Sequence, residues 1–163
     1  MKTRFVSLFL LGVLVAVGLS AQTKTSGTTT CKVDPAAPPP VALTDKPDHS
    51  FVIGKLQCTW ANWAVGGVQA KDGTATDVGE ITGDTTSYRG YHVATMANGD
   101  TFVVKYEGTG KLKDGKPLSG EGTWSYVSGT GKLKGIKGKG TYKGTANADG
   151  SATYQVDGDY SLP

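Results

Sequence analysis

From residue 101 onward the chain alternates. Even positions are mostly apolar, aromatic or glycine: Phe102, Val104, Tyr106 and Gly108, then Leu118, Gly120, Gly122, Trp124 and Tyr126. The pattern resumes with Gly140, Tyr142, Gly144 and Ala146, and again with Ala152, Tyr154, Val156, Gly158 and Tyr160. Odd positions between them are mostly Lys, Glu, Thr, Ser, Gln and Asp. A period of two puts successive side chains on opposite faces of a strand, so one face is buried and the other wet. Residues 51–60 read as the first strand. One face would carry Val52, Gly54, Leu56, Cys58 and Trp60, the other Phe51, Ile53, Lys55, Gln57 and Thr59. Residues 74–82 alternate weakly, and 86–96 form the next strand.

Turn signals separate these runs. Asn98-Gly99 is a hairpin dipeptide, because both central positions of the favoured turn need positive φ. Gly83-Asp84, Asp114-Gly115 and Asn147 to Gly150 mark the other reversals, and Asn62 to Gly67 is a break with room for a helical turn. The pattern predicts seven or eight strands with one apolar face. Mixed aromatic and glycine residues fill the tapering inside of a small barrel, and closure removes exposed edges. The expected fold class is therefore all-β, a small antiparallel barrel. The 24 glycines among 163 residues show no three-residue period, which excludes collagen.

Gly129-Thr130-Gly131-Lys132-Leu133-Lys134-Gly135-Ile136-Lys137-Gly138 holds four of those glycines, too many for a long helix. This stretch resembles the Gly-[Ser/Thr]-Gly-x-hydrophobic-x-Gly-x-x-Gly connection of allene oxide cyclases and plant dirigent proteins. The resemblance implies an eight-stranded antiparallel barrel with the motif between late strands. The segment from Tyr106 to Tyr160 is also similar to exported bacterial barrels of unassigned role. Gly129, Gly131, Gly135 and Gly138 are expected to be structural. No functional residue carries over, since no cyclase catalytic motif matches here. Members of these families form oligomers, which makes a homo-oligomer an expectation for this chain.

The chain divides into three parts by composition. Residues 1–21 have a basic start at Lys2 and Arg4, an apolar run from Phe5 to Leu19, and small residues at Ser20-Ala21. That is the pattern of a cleaved signal peptide, implying a secreted or periplasmic protein with no membrane span after cleavage near Ala21. The apolar run is shorter than the ~20 residues that span a bilayer. Residues 22–48 are rich in Thr and Pro and read as a disordered linker. Residues 49–163 form the barrel domain. Cys31 and Cys58 leave two readings. After export they could form a disulfide worth about 3–4 kcal/mol in the chain-entropy model. Otherwise Cys58 is a small buried residue and Cys31 is loose in the tail.

Charge narrows the function little. The formal charge of +3 falls nearly to balance once Lys2 and Arg4 are set aside, which argues against a dedicated nucleic-acid binder. Five lysines and no acidic residue lie between Gly131 and Lys143, most simply a solvated edge. No His-x-x-x-His or Cys-x-x-Cys spacing points to a metal, and no cofactor is expected.

His49 falls in the linker and is expected to be solvated. His92 shares a face with Tyr88, Gly90, Ala94 and Met96. It is the weak catalytic candidate as an acid or base, against the commoner role of a hydrogen-bonded core histidine. Tyr88, His92, Trp60, Trp124 and Tyr142 are the candidate ligand-lining residues, with Tyr91 and Tyr126 as further aromatic surface. Glu107 and Glu121 fall on the wet face, where surface lysines would pair with them. The leading reading is a non-catalytic exported barrel that binds a small apolar ligand or a partner. Its rivals are a cyclase- or isomerase-like enzyme acting on an apolar substrate, and a structural oligomeric surface protein. An interior filled by Trp124, Tyr142 and Tyr154 would exclude the enzyme.

Overall fold

A computed structural model describes residues 22–163. Its strands are β1 (Thr23–Val33), β2 (Val41–Ala42), β3 (His49–Ala61), β4 (Ala64–Val65), β5 (Val68–Thr82), β6 (Thr85–Met96), β7 (Thr101–Lys113), β8 (Lys116–Gly129), β9 (Lys137–Ala146) and β10 (Ala152–Ser161). From β5 to β10 each strand pairs antiparallel with the next. β10 then pairs with β1, β1 with β3, and β3 with β5. Eight strands thus close into an antiparallel barrel, with β2 and β4 as two-residue additions. This is the architecture that the glycine-motif resemblance implied.

The first part of the expected linker belongs to the barrel. Residues Thr23 to Cys31 pair one by one with β10, and Thr28 to Val33 pair with β3. The folded domain therefore starts at Thr23, not at His49. A run of Thr on both faces gives no hydrophobic alternation, yet Thr is β-branched and fits a pleated, half-buried surface. The inward hydroxyls are paired: Thr25 Oγ1 donates to the Ala64 carbonyl and Thr29 Oγ1 to the Thr59 carbonyl, each at 3.2 Å. The proline-rich stretch from Asp34 to Pro40 is a loop, as its composition suggested. Asp34 ties it to β3, accepting from Gln57 Nε2 at 3.1 Å. The leader expected at residues 1–21 lies outside the described residues.

Three smaller expectations also change. Asn62 to Gly67 makes no helical turn: β4 pairs with Val68 and Gln69 of β5. Leu118 is half exposed, because the β7–β8 register shifts beside it and turns it away from the even-numbered face. His49 is not solvated but sits between two carboxylates, 2.6 Å from Asp45 Oδ1 and 3.4 Å from Glu80 Oε2.

Otherwise the alternation holds. Phe102, Val104, Trp124, Val156 and Tyr160 are buried inside the ring. Phe51 and Ile53 face outward, and so does Tyr91, a residue expected to add aromatic surface. Cys31 and Cys58 face each other across β1 and β3, and their sulfurs are joined.

One end of the barrel is plugged. Trp63, on the connection between β3 and β4, folds into it and is 1% exposed. It packs in one cluster with Val65, Met96, Phe102, Leu133 and Ile136. Leu133 and Ile136 are the two apolar residues of the glycine motif. The motif turns through a 3-10 segment, Gly131–Leu133, with Gly131 and Gly135 at positive φ. Gly131 and Gly135 allow the sharp reversals that send both apolar side chains into the plug. Outside the barrel, the lysines of the motif region lie on the wet face. Lys143 pairs with Glu121 at 3.3 Å, as expected of that face.

Candidate functional site

The unplugged part of the interior is a cavity of about 270 Å³. It runs from Trp60, His92 and Phe102 near the plug to Ile81, Thr86, Leu112 and Pro117 at the other end. That volume is large enough for a small organic molecule: an engineered apolar cavity of about 150 Å³ already takes up benzene.

Strand register builds its polar part. Reading around the barrel, one row places Gly54 on β3 opposite Asp77 on β5, Asp77 opposite Gly90 on β6, and Gly90 opposite Tyr106 on β7. Glycine on either side of Asp77 leaves room for its carboxyl. A Cβ on Gly54 would run into Asp77 Oδ1, and one on Gly90 into the Asp77 backbone and Cβ. Tyr106 reaches over Gly90, and its hydroxyl donates to Asp77 Oδ2 at 2.7 Å. The next row is Tyr88, Gly108, Gly122 and Tyr142. Tyr88 and Tyr142 lean towards each other over the two glycines, and the Tyr142 hydroxyl donates to that of Tyr88 at 3.2 Å. In both rows glycines make room for the large side chains beside them, which is how a narrow barrel accommodates its side chains.

The rings form a chain of edge contacts. Tyr88 and Tyr106 are 6.2 Å apart between centroids, Tyr106 and Tyr142 6.3 Å, and Tyr142 and Tyr154 5.9 Å. All four tyrosines and Asp77 line the cavity. Burial raises the pKa of Asp77 above the usual carboxylate range, against the opposing pull of the Tyr106 hydroxyl and the Gly54 N–H. Burial also pushes the Tyr88 hydroxyl up to about 12 and raises those of Tyr106, Tyr142 and Tyr154. The phenols therefore stay protonated donors at neutral pH.

His92 lies at the plugged end. It is 6% exposed and stacks on Trp60 at 5.4 Å. Its Nε2 is fully covered without a hydrogen-bond partner, and Gly73 occupies the space beyond it. Burial lowers its pKa to about 4, so it is neutral at physiological pH. A covered nitrogen with no room for a reacting atom is poorly placed for proton transfer. His92 has the surroundings of a packed wall residue.

Of the expected lining, Trp60, Tyr88, His92, Trp124 and Tyr142 all border the cavity. Sequence reasoning missed Asp77, Tyr106 and Tyr154 as a polar cluster. Tyr106 and Tyr154 were legible as inward residues, but Asp77 was a lone acid in a weakly alternating stretch. A larger, open concavity of about 1260 Å³ lies on the outer wall, bordered by charges of both signs such as Lys24, Arg89, Lys105, Glu107 and Asp159. It also touches Trp124 and, from the row above, Asp77 and Tyr106, but its border is mostly outward-facing polar and charged side chains, unlike the mainly apolar lining of a small-molecule site. Among the described residues, no group of three His, Cys, Asp or Glu is placed to hold a metal.

The barrel has solved counterparts. A protein of unknown function from the DUF3224 family of Shewanella oneidensis MR-1 superposes with a TM-score of 0.56 at 16% identity, over 88% of this chain and 98% of that one. The pterocarpan synthase dirigent protein GePTS1 aligns over 97% of this chain and 100% of its own, at TM-score 0.47 and 15% identity. No protein-family model and no curated protein matches the chain. At such identity the Shewanella protein shows a shared fold and nothing finer. The cluster around Asp77 has to be read from its own chemistry.

Proposed function

We propose that this is an exported barrel that holds a small, mostly apolar molecule in its interior without transforming it. The observation that carries the reading is the cavity of about 270 Å³, walled by Trp60, Phe102, Trp124 and four tyrosines. Sites for small molecules are concave and mainly apolar, with a few polar groups that fix orientation. Here Asp77 and the phenols are those groups. The leader-like pattern of residues 1–21 supports export. So does the Cys31–Cys58 bond, which suits an oxidising compartment.

Native mass spectrometry of protein purified from its own source tests the reading, together with uptake of an apolar fluorophore. A stoichiometric adduct lost on denaturation, or saturable fluorophore binding quenched by cavity ligands, is the expected result. Bare protein that takes up no fluorophore would overturn it. Replacement of His92 by Ala should leave binding largely intact.

A second reading, a cyclase- or isomerase-like enzyme, has one observation in its favour. Asp77 is a part-buried carboxyl of raised pKa beside a phenol donor, on the wall of the interior cavity. The interior is not filled by Trp124, Tyr142 and Tyr154, the condition that would have excluded it. Comparing the molecule retained by the native protein with that retained by Asp77→Asn separates the two. Identical molecules support binding alone. A precursor accumulating only in the variant supports turnover.

A further inference from the structure

Asp77 is a carboxyl inside the barrel with no basic side chain bonded to it. Its polar partners are a phenol, Tyr106, at 2.7 Å and a backbone N–H, Gly54. The ion pairs of the described residues leave it out: Lys24, Lys32, Lys55 and Lys143 take Asp159, Asp149, Asp34 and Glu121 on the surface. Charges withdrawn from water are normally paired, so a part-buried carboxyl held this way is penalised on ionising, and an arriving cation offsets that penalty. Around it stand electron-rich ring systems. Tyr106 is bonded to it, and Tyr88, Tyr142 and Tyr154 continue the same chain of rings along the cavity wall. Aromatic walls attract a positive charge through their ring quadrupoles, and they do so more strongly when the charge is desolvated.

Resting on the reading of the interior as a small-molecule site, we infer that its ligand is a small organic cation, a protonated amine with an apolar ring or chain. The ammonium sits against Asp77 among the tyrosines, and the apolar part lies towards Trp60, Phe102 and Trp124. An anion is disfavoured, because it would meet the Asp77 carboxyl in a low-dielectric interior; Lys111, at the open end, is the basic residue of the cavity lining. The volume suits a guest of about one aromatic ring with a short side chain, since a cavity of about 150 Å³ already takes up benzene.

Binding should depend on pH through Asp77. The titratable groups facing it are Tyr88 and Tyr106 from β6 and β7 and Tyr154 from β10. His92 is the next titratable inward residue along β6 and stays neutral above about pH 4. Above pH 4, where His92 stays neutral, the carboxyl is the group among these that changes charge on the way to neutral pH, so amine affinity should rise as it ionises.

The test compares 2-phenylethylamine with its neutral isostere 2-phenylethanol by calorimetry on the folded protein at neutral and acid pH. The amine should bind about tenfold tighter or more at neutral pH, since the hydrogen bond it makes is charge-assisted. The advantage should shrink on acidification and vanish in Asp77→Asn, a variant of the same shape that should still bind the alcohol. Equal affinities in the native protein, or an advantage that survives in Asp77→Asn, overturn the cation assignment while leaving the cavity a binding site. If neither compound binds and no apolar fluorophore enters, the small-molecule reading falls and the cation assignment falls with it. Should Asp77→Asn fail to fold, Tyr106→Phe serves: it leaves the carboxyl in place, and the amine preference must persist.

Discussion

The Tyr106 hydroxyl donates to Asp77 Oδ2 at 2.7 Å by reaching across Gly90, the residue that separates them in the sheet. The bond joins β7 to β5 without touching β6. It satisfies a carboxyl oxygen that water cannot fully reach. Tyr106→Phe removes the donor and leaves the acceptor in place. Unfolding in urea should show a loss of about 1–2 kcal/mol, for a hydrogen bond to a part-buried carboxyl.

Asp77→Asn should act in the opposite sense at neutral pH. The folded pKa of Asp77 is raised, so below the unfolded value near 3.8 the carboxyl is protonated in both states and makes no difference. As pH rises through the folded pKa, the fold must carry a desolvated charge and stability falls. The variant should therefore be more stable than the native protein at pH 7. The gap should close as pH falls towards 3.8, as read by paired urea titrations.

His92 produces an acid-side loss. Its folded pKa of about 4 lies below the ordinary 6.5, so the unfolded chain takes up a proton first. Stability should decline as pH falls from 6.5 to about 4 and level off below. At full extent that is about 3 kcal/mol, at 1.36 kcal/mol per pKa unit. Asp77 has the opposite slope over part of this range, so the measurement is best made in the Asp77→Asn background. There, His92→Gln should remove the decline.

These two residues show what was legible and what was not. The inward placement of His92 followed from alternation with Tyr88, Gly90 and Ala94. Its isolation did not, because the position of Gly73 beside it depends on the pairing of β5 with β6. Asp77 carries no signal of its own. It becomes a site only when register sets Gly54 and Gly90 on either side and Tyr106 beyond. β1 escaped notice for a different reason: Thr on both faces erases the contrast between buried and wet positions. Leu118 was misplaced because a register shift breaks a period of two without changing composition.

Breaking the Cys31–Cys58 bond should cost about 3–4 kcal/mol if it acts mainly on the unfolded chain. Cys31→Ser with Cys58→Ser, compared with native protein in urea, gives the figure. Both sulfurs lie in the wall near Ala75 and Leu56, so part of any excess loss would reflect packing.

Gly122→Ala should close part of the interior. The added methyl group would meet the Glu107 carbonyl and the Tyr142 hydroxyl, forcing the phenol off Tyr88. Overpacking of this kind costs about 1–3 kcal/mol. Fluorophore uptake should fall along with stability, whereas a methyl group at an outward position such as Thr123→Val should leave uptake unchanged.

Thr23, the first paired residue of the barrel, lies against Tyr160, almost the last. The ring therefore cannot close until β10 has been made. Until β10 emerges, the growing sheet has two open edges that can pair with other chains, the usual hazard of late long-range pairing. The staple between β1 and β3 can form long before that, since Cys31 and Cys58 are both in the first half of the chain. It would hold one edge ready, so that the final strand has a fixed margin to dock on rather than a loose end to find.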